Sequence, residues 1–203
     1  MKLLHGKGSC SLGILVLIDE LGIDCDVQIV DLAGGEQRSS EFLVMNPKGK
    51  VPALVLDDGA VVTEWPAIAT YLAGLKPEAG LIPADPLARA RAYEATDYIV
   101  ATVHMQGFTR IVRPGNFTPN EADFDAVKAR GREIFDQGLA AMDAQLDGRD
   151  YLIGDISIAD AALFYCEAWM VNRLGGTLPA NCQAHFERMS ARPGVARAVQ
   201  RGS

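Results

Sequence analysis

The stretch "KLLHGKGSCSLGILVLIDELGIDCDVQIVDL", Lys2 to Leu32, decides the fold. It opens on a short strand-like run, "KLLH", and passes into a helical pattern over 11–22, where Ile14, Leu17, Ile18 and Leu21 recur at helical spacing. "DVQIVDL", 26–32, alternates enough for a second strand. Two strands joined through a helix imply a parallel pair. Between the first strand and the helix sits "KGSCSLG", Lys7 to Gly13, with a cysteine between two serines and two glycines.

Working outward, "SSEFLVM" reads as a short helix that Ser39 or Ser40 can cap. "ALVLDDGAVVT" gives two strands joined at Asp58-Gly59, a dipeptide suited to a tight hairpin turn. "PAIATYLAGL" is a helix with Pro66 at its first position, where a missing N–H costs nothing. The order is therefore βαβαββα over 1–76. Residues 77–86, "PEAGLIPADP", with three prolines and a glycine, form a linker. Beyond it, helical patterns run through 87–112, 121–147, 157–174 and 181–200, so 87–203 is expected to be an all-helical domain. In the second pattern Phe124, Val127, Ile134, Phe135, Leu139, Met142 and Leu146 make one apolar stripe.

A net charge of −7 argues against nucleic acid or an anionic membrane as partner. The longest apolar run, "LGILVLIDELGI", is broken at Asp19 and Glu20, short of a membrane span. With no leader pattern at the N-terminus, the cytoplasm is the expected location. Cysteines stand at 10, 25, 166 and 182 with no CxxC pair and no zinc spacing, so neither a metal site nor a disulfide framework is expected. Cys25, Cys166 and Cys182 read as small buried hydrophobes.

Cys10 admits two readings. It can be a buried residue at a strand end, or a reactive thiol that the positive end of the first helix drives toward thiolate, with Ser9 and Ser11 as hydroxyl donors. "NPKGKVPAL", Asn46 to Leu54, places Val51-Pro52 just before a strand. Either the bond is cis and frees the Val51 backbone to pair with an extended peptide, or it is an ordinary trans proline entering an edge strand. Glu64 stands before the third helix, stabilised there by the helix terminus or placed to bind a ligand ammonium. His104 shares a stripe with Tyr93, Asp97 and Val100, which suits a core or interface histidine as well as a site residue.

Taken together, Cys10 after the first strand, "NPKGKVPAL", the acidic residue before the third helix, the proline-rich linker and the helical C-terminal half resemble a cytosolic glutathione transferase. The Cys10-Ser11 pair is most like the bacterial beta class. "GDISIADAAL", 154–163, is similar to that family's capping box and hydrophobic staple: Ser157 caps, Asp160 reaches back and Ile156 packs. The resemblance implies a thioredoxin-like N-terminal domain, glutathione as co-substrate, a detoxifying conjugation of small apolar electrophiles or an exchange with disulfides, no metal, and a homodimer. It implies Cys10 as the thiol beside the glutathione sulfur, with Ser11 in support. Val51 would pair its backbone with the cysteinyl part, ahead of a cis Pro52, and Glu64 would take the γ-glutamyl end. His104 and Trp169 would line the pocket, and Asp97 would reach across the dimer. The electrophile would occupy an apolar cleft between the domains.

Two positions depart from the pattern. Trp65 stands where the family's serine offers a backbone N–H and a hydroxyl to the ligand carboxylate. Losing such a bond to a charged group costs about 1.5–3 kcal/mol, or roughly 10- to 150-fold in affinity. The loop "DLAGGEQ" also lacks a lysine and carries Glu36 instead. The alternative to an enzyme is therefore a non-catalytic family member that binds a ligand or a protein partner. A reductase using another small thiol is a third reading, sharing Cys10 with the first.

Overall fold

A computed structural model describes residues 1–202. The chain forms β1 (Lys2–His5), α1 (Ser11–Glu20), β2 (Asp26–Ile29), α2 (Ser40–Met45), β3 (Ala53–Val55), β4 (Val61–Thr63) and α3 (Trp65–Leu75). The four strands make one sheet in the order β2-β1-β3-β4. β1 and β2 are parallel, with Leu3 opposite Val27, and the remaining pairs are antiparallel. This is the thioredoxin-like βαβαββα arrangement, with the second strand ending at Ile29 rather than at residue 32.

Local chemistry explains the boundaries. Ser39 caps α2 by accepting the Phe42 N–H at 3.2 Å. Gly59 turns the β3–β4 hairpin with φ 87°, a conformation a side chain resists. Pro66 occupies the second position of α3, one residue later than the sequence pattern suggests, because Trp65 already has helical geometry. α1 is buried from Gly13 to Asp19, since it packs on β1, on α3 and on the last helix of the chain.

That last helix revises an expectation. In place of one helical run over 181–200 there are two, α8 (Ala180–Ser190) and α9 (Pro193–Arg201). Pro193 cannot donate an N–H, so it breaks the run and starts a new helix. Residues 187–203 group with 1–82 in one compact unit, and 83–186 form the other, so α9 belongs with the sheet rather than with the helices before it. Arg192 pairs with Glu20 at 2.5 Å, and Arg201 with Asp19. These arginines neutralise two carboxylates at the C-terminal end of α1, where helix polarity disfavours negative charge.

The second unit contains α4 (Pro86–Asp97), which continues as a π-helical segment over Tyr98–Phe108 and ends as α5 (Thr109–Val112). α6 (Phe124–Gln145) and α7 (Ile158–Asn172) follow. Glycines let α6 approach the π-helical segment closely: a Cβ on Gly131 would stand 2.8 Å from the Gly107 carbonyl oxygen. At α7, Asp160 Oδ2 accepts the Ser157 N–H at 2.7 Å while Ser157 Oγ accepts from Ala159 at 3.3 Å, completing the capping box. Among the described residues, no helix is long and apolar enough to cross a membrane.

Candidate active site

Cys10, Ser11, Val51, Pro52, Glu64 and Trp65 all lie in the sheet-bearing unit, at the start of α1, the approach to β3 and the start of α3. Cys10 is the N-cap of α1, but its side chain makes no capping bond. Its Sγ lies 3.8 Å from the Val51 carbonyl oxygen, which joins the cysteine loop to the Val-Pro loop.

Of the two readings of Cys10, the structure favours the buried residue at a strand end. The residue is 8% exposed. Burial pushes its thiol up to about 12, against a weaker downward pull from backbone hydrogen bonding and Lys50, and Glu64 adds to the rise. A helix terminus lowers a cysteine pKa only when it outweighs desolvation, and here burial is the larger influence.

Ser11 does not offer its hydroxyl to a ligand either. It is fully buried, and its Oγ lies 2.8 Å from His5 Nδ1 and 2.6 Å from Ser9 Oγ. The sequence reading passed over His5, which ends β1 six residues before Ser11.

The Val51–Pro52 bond is cis, and Val51 precedes Ala53, the first paired residue of β3. Glu64 has φ 73°, a conformation non-glycine residues rarely hold and one concentrated at functional sites. Its Oε1 accepts from Lys48 Nζ at 2.7 Å, and the same ammonium donates to Thr63 Oγ1 at 2.9 Å. An ammonium therefore already fits against this carboxylate. Lys48 sits in "NPKGKVPAL", yet only the fold brings it to Glu64.

Trp65 departs from expectation in the direction of its ring. The side chain is buried and its indole Nε1–H donates to the Cys10 carbonyl at 3.0 Å. The bulky ring is turned into the core, where it ties the start of α3 to the start of α1.

Asp97, His104 and Trp169 belong to the helical unit. His104 and Trp169 meet edge to face with ring centroids 4.8 Å apart, and Trp169 stacks on Phe108 at 4.0 Å. His104 Nδ1 stands 3.4 Å from the hydroxyl of Tyr165, a third aromatic that sequence spacing did not single out. Asp97 is exposed at the end of α4 and does not join this cluster.

Comparison with known proteins agrees with this geometry. Residues 8–75 match the family model described as glutathione S-transferase, N-terminal domain, and residues 125–201 match glutathione S-transferase, C-terminal domain. Glutathione S-transferase GstA of Escherichia coli O157:H7 is 34% identical over 199 residues, 96% of this chain and 95% of that one. A Sulfitobacter glutathione transferase homolog, solved with bound glutathione, superposes with a TM-score of 0.91 at 29% identity, over 99% of this chain and 97% of its own. The beta-class glutathione S-transferase of Sphingomonas chungbukensis gives 0.85 at 33% identity, over 100% and 99%. With the sheet order, the cis Val51–Pro52 bond and the Cys10 loop in place, the chain belongs to the glutathione S-transferase family and is of the bacterial beta-class type.

Proposed function

We propose that the protein binds glutathione and joins its sulfur to small apolar electrophiles, with Cys10 acting as a neutral thiol. The observation that carries this reading is the convergence on one loop pair: Cys10 Sγ is 3.8 Å from the carbonyl of Val51, which precedes the cis proline. Glu64 receives the γ-glutamyl ammonium in the manner of the Lys48 ammonium it now holds. The backbone of Val51 pairs with the cysteinyl part, as a peptide adds to a strand edge. Cys10 donates its S–H to the glutathione sulfur. In the reaction that sulfur loses its proton to solvent, the C–S bond forms and the electrophile's leaving group departs with its electron pair. His104 and Trp169 are assigned to recognition of the electrophile.

Exchange through a mixed disulfide on Cys10 is disfavoured, because attack needs a thiolate and burial keeps this sulfur protonated. The inward turn of Trp65 removes the main support for a non-catalytic reading, since the ring does not take the place of a ligand group.

Calorimetric titration with glutathione, paired with chloride release from a nitro-activated aryl chloride, tests the proposal. Saturable binding and glutathione-dependent release are expected; neither at millimolar glutathione overturns it. Mass spectrometry after glutathione disulfide treatment at neutral pH is expected to show little adduct on Cys10, and a rapid adduct would favour exchange. Cys10→Ala is expected to lower turnover, and full retention would remove Cys10 from the chemistry. We further propose a homodimer in which Asp97 contacts the γ-glutamyl amine of the neighbouring subunit. A monomer on sizing chromatography would cancel that role.

A further inference from the structure

The hydroxyls of Ser9 and Ser11, the imidazole of His5 and the carbonyl of Gly202 form one chain of hydrogen bonds in the sheet-bearing unit. Ser9 Oγ to Ser11 Oγ is 2.6 Å, Ser11 Oγ to His5 Nδ1 is 2.8 Å, and His5 Nε2 to the Gly202 oxygen is 3.2 Å. The direction of every proton in it can be worked out.

A carbonyl only accepts, so Nε2 of His5 must carry the hydrogen that reaches Gly202. Burial pulls the His5 pKa below its ordinary value, with Lys7 adding to the effect, so the ring is neutral and its Nδ1 is bare. Nδ1 therefore accepts, and Ser11 must donate to it. The alternative acceptor for Ser11, the Gly6 carbonyl at 3.4 Å, is much less favourable than a 2.8 Å contact. Ser11 Oγ already accepts the Gly6 N–H at 3.1 Å. With its own proton committed to His5, its remaining lone pair accepts from Ser9. Ser9 Oγ also accepts the Ser11 N–H at 3.2 Å, which leaves one lone pair on a half-buried oxygen. Ser11 has no capacity left, and Ser9 has no proton left to give.

We propose that His5 is a positioning residue: it draws both hydroxyl protons of the Ser9–Ser11 pair inward, so that this side of the Cys10 loop offers a ligand an acceptor oxygen and no donor. The group that fits there is a hydrogen-bond donor, such as a peptide N–H of glutathione. A carboxylate or a thiolate does not fit. Ser9 thus binds rather than activates, and Ser11, with its hydroxyl fully committed, only holds Ser9 in that orientation, reversing the donor role their sequence suggests. The assignment of the ligand rests on the glutathione reading; the direction of the chain does not.

Two measurements decide it. In a long-range proton–nitrogen correlation spectrum of the free protein, His5 is expected to carry its proton on Nε2 with Nδ1 bare. Its signals are identified by their loss in His5→Asn. A proton on Nδ1 overturns the proposal. The second measurement compares two substitutions that divide the imidazole between them. His5→Asn keeps an acceptor near the Nδ1 position and is expected to hold the KM for glutathione within about twofold. His5→Gln keeps a donor near Nε2 but takes the acceptor from Ser11, so Ser9 can turn its proton outward. It is expected to raise KM about fivefold with kcat unchanged, the value of one ordinary hydrogen bond. Ser9→Ala, which removes the acceptor oxygen itself together with its bond to Ser11, is expected to match His5→Gln. Equal effects of the Asn and Gln variants, or a change in kcat alone, would reduce His5 to a structural residue. Absence of any glutathione binding by the wild type defeats the functional reading but leaves the spectrum to decide the direction of the chain.

Discussion

His5 and His185 are both fully buried, yet the two regions around them leave one imidazole neutral and the other charged. His5, at the end of β1, faces a hydroxyl and a carbonyl, and burial draws its pKa down. His185, on α8, has its Nδ1 2.9 Å and 3.0 Å from the two oxygens of Glu167 and its Nε2 3.3 Å from Asp160 Oδ1. Burial alone would pull it down as well, but the two carboxylates more than reverse that and hold it at about 9. Burial sets the cost of a charge, and an opposite charge within contact distance decides whether the cost is met. The neutral ring orients hydroxyls beside a ligand site. The charged ring links α7 to α8 through the acid that also closes the α7 capping box.

The sharpest way to break this comparison is to remove the charged ring. His185→Leu would leave Glu167 and Asp160 buried without their cation, and breaking a buried pair in this way costs about 3–5 kcal/mol. Urea denaturation at neutral pH is expected to show a loss of that order. An unchanged midpoint would mean that His185 is neutral like His5.

The second test uses pH. A raised folded-state pKa means the folded chain binds the proton more tightly than the unfolded one. For His185, the stability this contributes is complete below the ordinary value of 6.5 and is lost as pH rises through about 9. Glu167, which burial raises, has the same sign with its window opening above the usual carboxylate value of 4.5. The melting temperature is therefore expected to fall between pH 6.5 and 9 in the wild type; His185→Leu is expected to lose the imidazole's share of that fall, while Glu167, without the cation that lowers its pKa, keeps a fall of the same sign. His5→Asn is expected to retain the slope, because the lowered His5 pKa puts its contribution below pH 6.5, outside this window.

The same contrast explains what could be read from the sequence. The βαβαββα order was legible because strand alternation, the Asp58-Gly59 turn and the Ser39 cap act within a few residues of one another. The break at Pro193 was legible in principle, since proline is its own signal, but the apolar pattern ran across it. The π-helical stretch from Tyr98 left no mark in the spacing. The histidine partnerships were out of reach: His185 lies 18 residues from Glu167, and Gly202 lies 197 from His5. A charge that depends on a distant partner has no local pattern. Cys10 stayed open between its two readings for the same reason, because the helix start is visible in sequence and the burial is not.

Trp65 offers the finest test, because its direction was available in the sequence. Trp65, Ile68, Ala69 and Leu72 are all buried, and their spacing is that of one helix face. A large apolar ring at the head of such a stripe belongs to the core, and once there its N–H requires an acceptor, which the Cys10 carbonyl supplies. Trp65→Phe keeps most of the ring and deletes the donor, so stability is expected to fall by about 1 kcal/mol, the net worth of one neutral hydrogen bond. The Cys10 backbone would lose its tie to α3, and hydrogen exchange at the start of α1 is expected to quicken while the α7–α8 region is unchanged. If glutathione affinity rose sharply instead, the indole would have been crowding the ligand after all. If nothing changed, the 3.0 Å contact would contribute no more than the water that replaced it.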